Sequence, residues 1–170
     1  MKHILKGLLG GLLAVLLGLL PAMAQGAEFL PFRGDSRAAI EQAHAGRAMI
    51  LTFWSVDCAY CMEDLALLGE IVRRHPQIVL VTVNTDDDAG AVNMLNAAKV
   101  LDKAGLPAHA RWRFATQDSD RLRYQIDRKW YGELPRSYFY DKQHRVKAVS
   151  GKPDSAWLLG WLQELQAARP

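Results

Sequence analysis

A run of apolar residues from Ala48 to Trp54 leads into Cys58-Ala59-Tyr60-Cys61, and Met62, Leu65, Leu68 and Val72 then recur at helical spacing. The run has the length and composition of a strand. The only two cysteines of the chain therefore stand where a strand ends and a helix begins. That junction also sets their chemistry. The first turn of a helix has unpaired N–H groups and a partial positive charge, which favour a thiolate over a thiol.

The rest of the chain repeats the same alternation. Asp35 and Ser36 offer caps for a helix over Ala38–Ala45 that Gly46 ends. The helix after the cysteines runs to about His75, before Pro76. Ile78–Val83 is continuous, apolar and rich in β-branched residues, the mark of a central parallel strand. Asp88 is placed to cap a helix over Ala89–Ala104, closed by Gly105. Arg111–Phe114 alternates as a short half-exposed strand, and Asp118 or Ser119 caps a helix from about Asp120 to Trp130. Ser137–Asp141 and Arg145–Ser150 read as a hairpin across Lys142-Gln143-His144. Asp154 caps a last helix whose apolar side carries Trp157, Leu158, Trp161, Leu162 and Leu165. Strands alternating with helices imply an α/β three-layer sandwich: a mixed sheet of parallel strands plus a C-terminal antiparallel hairpin, with helices on both faces.

Residues 1–24 stand apart. Lys2 and Lys6 precede an uninterrupted apolar run from Gly7 to Leu20, and Pro21 precedes the small-x-small sequence Ala22-Met23-Ala24. This is the pattern of a secretory signal peptide cleaved after Ala24, the alternative being an uncleaved anchor. Residues 25–170 then form one domain. The formal charge of +3 falls to +1 without the signal, because two of the 21 basic residues and none of the 18 acidic ones lie within it. A nucleic-acid surface, which needs clustered Lys and Arg, is not indicated.

Export allows a disulfide to persist. A bridge across two residues closes a very small loop and constrains the unfolded chain little, so redox chemistry explains the pair better than stapling. A tetrahedral zinc site needs two further ligands, and His44, His75, His109 and His144 are scattered. Covalent haem attachment needs a histidine where Met62 stands. Copper(I) held by the two thiolates stays open as a binding-module alternative. Asp86-Asp87-Asp88 lacks a calcium-loop signature and reads as a cap and solvated turn.

The segment Phe53-Trp54-Ser55-Val56-Asp57-Cys58-Ala59-Tyr60-Cys61 resembles the active site of thioredoxin-fold proteins, and Glu133-Leu134-Pro135 resembles that family's cis-proline loop. The stretch between Asp88 and Phe114 resembles the insertion of the exported, TlpA-like branch. The resemblance implies an exported thiol:disulfide oxidoreductase acting on protein thiols and disulfides. It implies no cofactor beyond a redox-active Cys58–Cys61 disulfide, and an upstream redox partner in the membrane or periplasm. Cys58 is the expected attacking residue and Cys61 the resolving one. Leu134, Pro135, Tyr60 and Trp54 are expected on the substrate side, Trp54 mainly as core. Asp57, Ala59 and Glu63 are expected to tune the pair. The expected direction is disulfide reduction or electron relay, with oxidation of folding proteins as the alternative.

Three positions depart from the family pattern. Asp57 replaces the common tryptophan and opposes a thiolate at Cys58. Thr52 occupies the place of a buried aspartate, so another group must take the proton of Cys61, with Glu63 the candidate. Ala66 stands where proline is frequent. Arg136 reads as a solvated surface residue.

Overall fold

The computed structural model describes residues 29–86, 91–107 and 110–167. The expected signal peptide, Asp87, Asp88 and the start of the third helix lie outside the described residues. Six strands form one mixed sheet in the order β1-β4-β3-β2-β5-β6. These are β1 (Leu30–Phe32), β2 (Met49–Trp54), β3 (Val79–Asn84), β4 (Arg111–Phe114), β5 (Arg136–Tyr140) and β6 (Val146–Ser150). β1, β4, β3 and β2 are mutually parallel, β5 runs antiparallel to β2, and β6 runs antiparallel to β5.

The period-two alternation of β2 divides its side chains between two cores. Ile50 and Trp54 face a cluster that includes Leu65 and Leu68 of α2 (Ala59–Arg74), Ala97 and Leu101 of α3 (Ala91–Lys103), and Leu158 and Trp161 of α5 (Ser155–Ala167). Met49, Leu51 and Phe53 face the other side, where Ile40 of α1 (Ser36–Ala43) and Leu122 and Ile126 of α4 (Ser119–Ile126) pack. Helices thus cover both faces, as the alternating pattern requires. β3, paired on both sides, is the expected central parallel strand.

Several local expectations change. β1 has no counterpart in the sequence pattern; its three residues become a strand by pairing with β4. Asp35 makes no side-chain cap, and instead the Arg33 N–H donates to Ser36 Oγ at 2.8 Å. α4 stops at Ile126, because Asp127 is already extended. The caps by Asp118 (Arg121 N–H, 2.9 Å) and Asp154 (Trp157 N–H, 2.7 Å) are present.

Candidate active site

The parallel strands β2 and β3 end side by side at Trp54 and Asn84, and the loop after β2 is held against the end of β3. Thr85 N–H donates to Trp54 O at 2.9 Å. Asp86 accepts from Val56 N–H at 3.2 Å and from Asn84 Nδ2 at 2.7 Å. Asp86 is therefore a loop fastener rather than part of a solvated turn. Cys58 follows this loop as the N-cap residue of α2. Its Sγ accepts the Cys61 N–H at 3.1 Å. This helix-start N–H, which also donates to Cys58 O at 3.0 Å, is thus directed at the Cys58 sulfur, the interaction that stabilises a thiolate once the pair is reduced.

Cys58 and Cys61 form a disulfide, with Cα atoms 5.2 Å apart. Cys58 is half-buried and Cys61 fully buried, so an external thiol or disulfide has access to Cys58 first. Tyr60 between them is 70% exposed. Asp57 and Ala59 are also exposed.

The second wall comes from β5. Arg136 pairs with Phe53 in the antiparallel register, which sets Leu134 and Pro135 past the end of β2, beside the cysteine loop. The Leu134–Pro135 peptide bond is cis. Leu134 packs on the cluster that contains Cys61, against which Cys58 also packs, and Pro135 is buried. The Pro135 carbonyl accepts Gly151 N–H at 2.8 Å, tying the loop to the end of the β5–β6 hairpin.

Trp54 lies in the core, as expected, whereas Glu63 and Arg136 sit differently from expectation. Trp54 is fully buried, so it serves the core and is out of reach of a substrate. Glu63 is exposed and accepts from Lys152 Nζ at 2.7 Å, which removes it as an internal proton acceptor for buried Cys61. Arg136 is buried at 8% exposure and paired with Asp127 at 2.7 Å, not solvated. Thr52 is fully buried, with its hydroxyl 2.8 Å from that of Ser137, and carries no acid function.

The carboxyl group that the sequence reading missed is Asp64. It follows Cys61 by three residues on α2, hence on the same side of the helix. It is 1% exposed, and neither carboxyl oxygen has a hydrogen-bond partner. Burial pushes its pKa up to about 7, against a smaller lowering by the Lys152 charge. An orphaned carboxyl held near neutrality beside a buried cysteine is suited to exchanging protons with it. The helical phase contained the signal: Cys61, Asp64, Leu65 and Leu68 fall at i, i+3, i+4 and i+7, the core-facing positions.

No protein-family model and no curated protein matches the chain. Solved structures do. A thiol:disulfide interchange protein of the thioredoxin family from Chlorobium tepidum aligns with TM-score 0.56 at 16% identity, over 74% of this chain and 83% of that one. This is a thioredoxin-like fold. A secreted Mycobacterium tuberculosis disulfide oxidoreductase, described as homologous to Escherichia coli DsbE, aligns with TM-score 0.54 at 18% identity, over 73% and 86% of the two chains. A thiol-disulfide isomerase from Corynebacterium glutamicum aligns with TM-score 0.56 at 12% identity, over 76% and 86%. Within the thioredoxin-like fold, the Cys58–Cys61 bridge lies at the helix start after β2 and the cis proline precedes β5.

Proposed function

We propose that this protein is an exported thiol–disulfide oxidoreductase that uses Cys58 and Cys61 to reduce or relay electrons to protein disulfides. The observation that carries the reading is the asymmetry of the pair: a reachable Cys58 at the cap of α2, and a buried Cys61 one turn before an orphaned carboxyl. The kinship in fold with proteins described as disulfide oxidoreductases and interchange proteins supports it, and the leader-like residues 1–24 support export.

In the reducing direction the Cys58 thiolate attacks one sulfur of a substrate disulfide. A mixed disulfide forms and the other substrate sulfur leaves as a thiolate. Cys61 then loses its proton to the Asp64 carboxylate and attacks the Cys58 sulfur. The second substrate sulfur leaves, the Cys58–Cys61 disulfide closes, and two electrons have passed to the substrate. A dithiol donor returns the pair to the reduced form by the reverse exchange. Leu134 and Pro135 flank the sulfurs and dock the substrate chain. Exposed Tyr60 lies on the same approach.

The test is the equilibrium reduction potential of the pair against glutathione buffers, on protein lacking residues 1–24. A value toward about −270 mV supports electron donation, and one near about −120 mV assigns the protein to disulfide formation instead. Absence of exchange with any thiol or disulfide rejects both.

A further inference from the structure

Arg136 is the first residue after the cis proline, and its guanidinium is unusually well occupied. One nitrogen donates to Asp127 Oδ2 at 2.7 Å, a second to Ser150 Oγ at 2.5 Å, and Nε to the Tyr138 hydroxyl at 3.3 Å. Tyr138 itself donates to the same Asp127 oxygen at 3.0 Å. Ser150 donates onward to Glu133 Oε1 at 2.6 Å, and Glu133 Oε2 accepts the Tyr131 N–H at 3.1 Å. The Trp130 indole N–H donates to Glu133 O at 2.9 Å. One buried cation thus gathers the end of α4, the end of β6 and residues 130–133 around the segment that carries Leu134 and Pro135.

Stability alone does not explain such a group. A buried ion pair is often matched or exceeded by apolar residues of similar volume, because desolvating both charges is costly. Burial disfavours the charge on Asp127, yet the bonds from Lys129 N–H, Arg136 and Tyr138 outweigh it and hold the carboxyl below its ordinary range. The pair stays ionised, and its fork geometry fixes direction as well as distance.

Resting on the exchange reading above, we propose that the Arg136–Asp127 pair is a positioning device. It holds the Glu133–Pro135 loop at the separation from the Cys58–Cys61 disulfide at which a polypeptide chain docks. Such a brace acts on substrates that lay a backbone along the loop. It does not act on disulfides small enough to reach Cys58 alone.

The experiment compares the unaltered protein with the double variant Asp127→Leu/Arg136→Met, which leaves no unpaired charge, and with Arg136→Lys, which keeps the charge without the fork. KM and kcat are measured for insulin disulfides and for hydroxyethyl disulfide, together with the reduction potential and the amide exchange of Tyr131 and Gly151. In the double variant KM for insulin rises about tenfold, while hydroxyethyl disulfide kinetics and the potential stay within about twofold and unchanged, respectively. Arg136→Lys falls between. An insulin KM within about twofold of the unaltered value, in a folded double variant, overturns the brace. Exchange with neither disulfide by the unaltered protein rejects the exchange reading. Amide exchange then decides the brace: faster at Tyr131 and Gly151 in the double variant supports it, and unchanged rates overturn it.

Discussion

Asp64 stands one turn beyond Cys61 on α2, with both side chains buried on the side of the helix that faces the sheet. A carboxyl there carries no structural benefit in its charged form. Its pKa of about 7 lies above the ordinary 3.8, so between those values the folded protein holds a proton that the unfolded chain releases. The contribution of Asp64 to stability is therefore greatest below about pH 4, falls as pH rises through about 7, and is level above that. Three units correspond to about 4 kcal/mol, as an order of magnitude. Asp64→Asn should flatten this dependence and gain stability of a few kcal/mol near pH 8. It should also slow resolution of the mixed disulfide. Urea unfolding near pH 5 and near pH 8 measures the first effect, and stopped-flow release of the second thiol the second. An unchanged slope of stability against pH in the variant would sink the assignment.

Lys152 gives an independent handle on the same group. It leaves the loop whose Gly151 N–H holds the Pro135 carbonyl, pairs with Glu63, and lowers the Asp64 pKa through its charge. Lys152→Met should move the midpoint of the stability–pH profile upward, and the pH profile of the resolving step with it. Glu63→Gln leaves the lysine in place and should move the midpoint little. An unmoved midpoint in Lys152→Met would mean that the cation is not felt at Asp64.

These two groups mark where the sequence was readable and where it was not. Periodicity located β2, β3, β4, the hairpin and the helices to within a few residues, because each element buries a face whose spacing is written locally. β1 was hidden, since three residues carry no period and only pairing with β4, some eighty positions on, makes them a strand. Thr52 correctly signalled that the usual acid was absent. Helical phase distinguishes Asp64, on the core side, from its exposed neighbour Glu63. The burial of Arg136 is not legible locally, because its partners Asp127 and Ser150 lie nine and fourteen positions away, across two other elements.

Gly69 predicts a purely structural effect that leaves the chemistry intact. A Cβ at this position would meet Ala104 O at 2.5 Å, where the end of α3 crosses α2. The better helix propensity of alanine, worth about 1 kcal/mol, works against that clash. Overpacking against backbone typically costs about 1–3 kcal/mol, so Gly69→Ala should be neutral to destabilising by about 2 kcal/mol. Exchange activity per folded molecule should not change, because the cysteines lie at the opposite end of α2. Thermal unfolding and activity of the soluble fraction check both; a clear rise in Tm would show that the helices do not approach as closely as this.

The unequal exposure of the two sulfurs makes the sharpest prediction about mechanism. Cys58 is half-buried at the helix cap, while Cys61 has no exposed surface. A partner sulfur therefore reaches Cys58 and not Cys61. With Cys61→Ser, the first exchange proceeds and the resolving attack is removed, so mixed disulfides through Cys58 should accumulate and disappear on reduction. With Cys58→Ser, the remaining thiol is buried and should trap partners at least about tenfold less under the same conditions, thiol access being the controlling factor. Non-reducing electrophoresis of both variants after incubation with oxidised insulin, followed by mass mapping of the joined peptides, reads the difference. Equal trapping by the two variants would show that Cys61 is as accessible as Cys58 in solution and would remove the asymmetry on which the ordered mechanism rests.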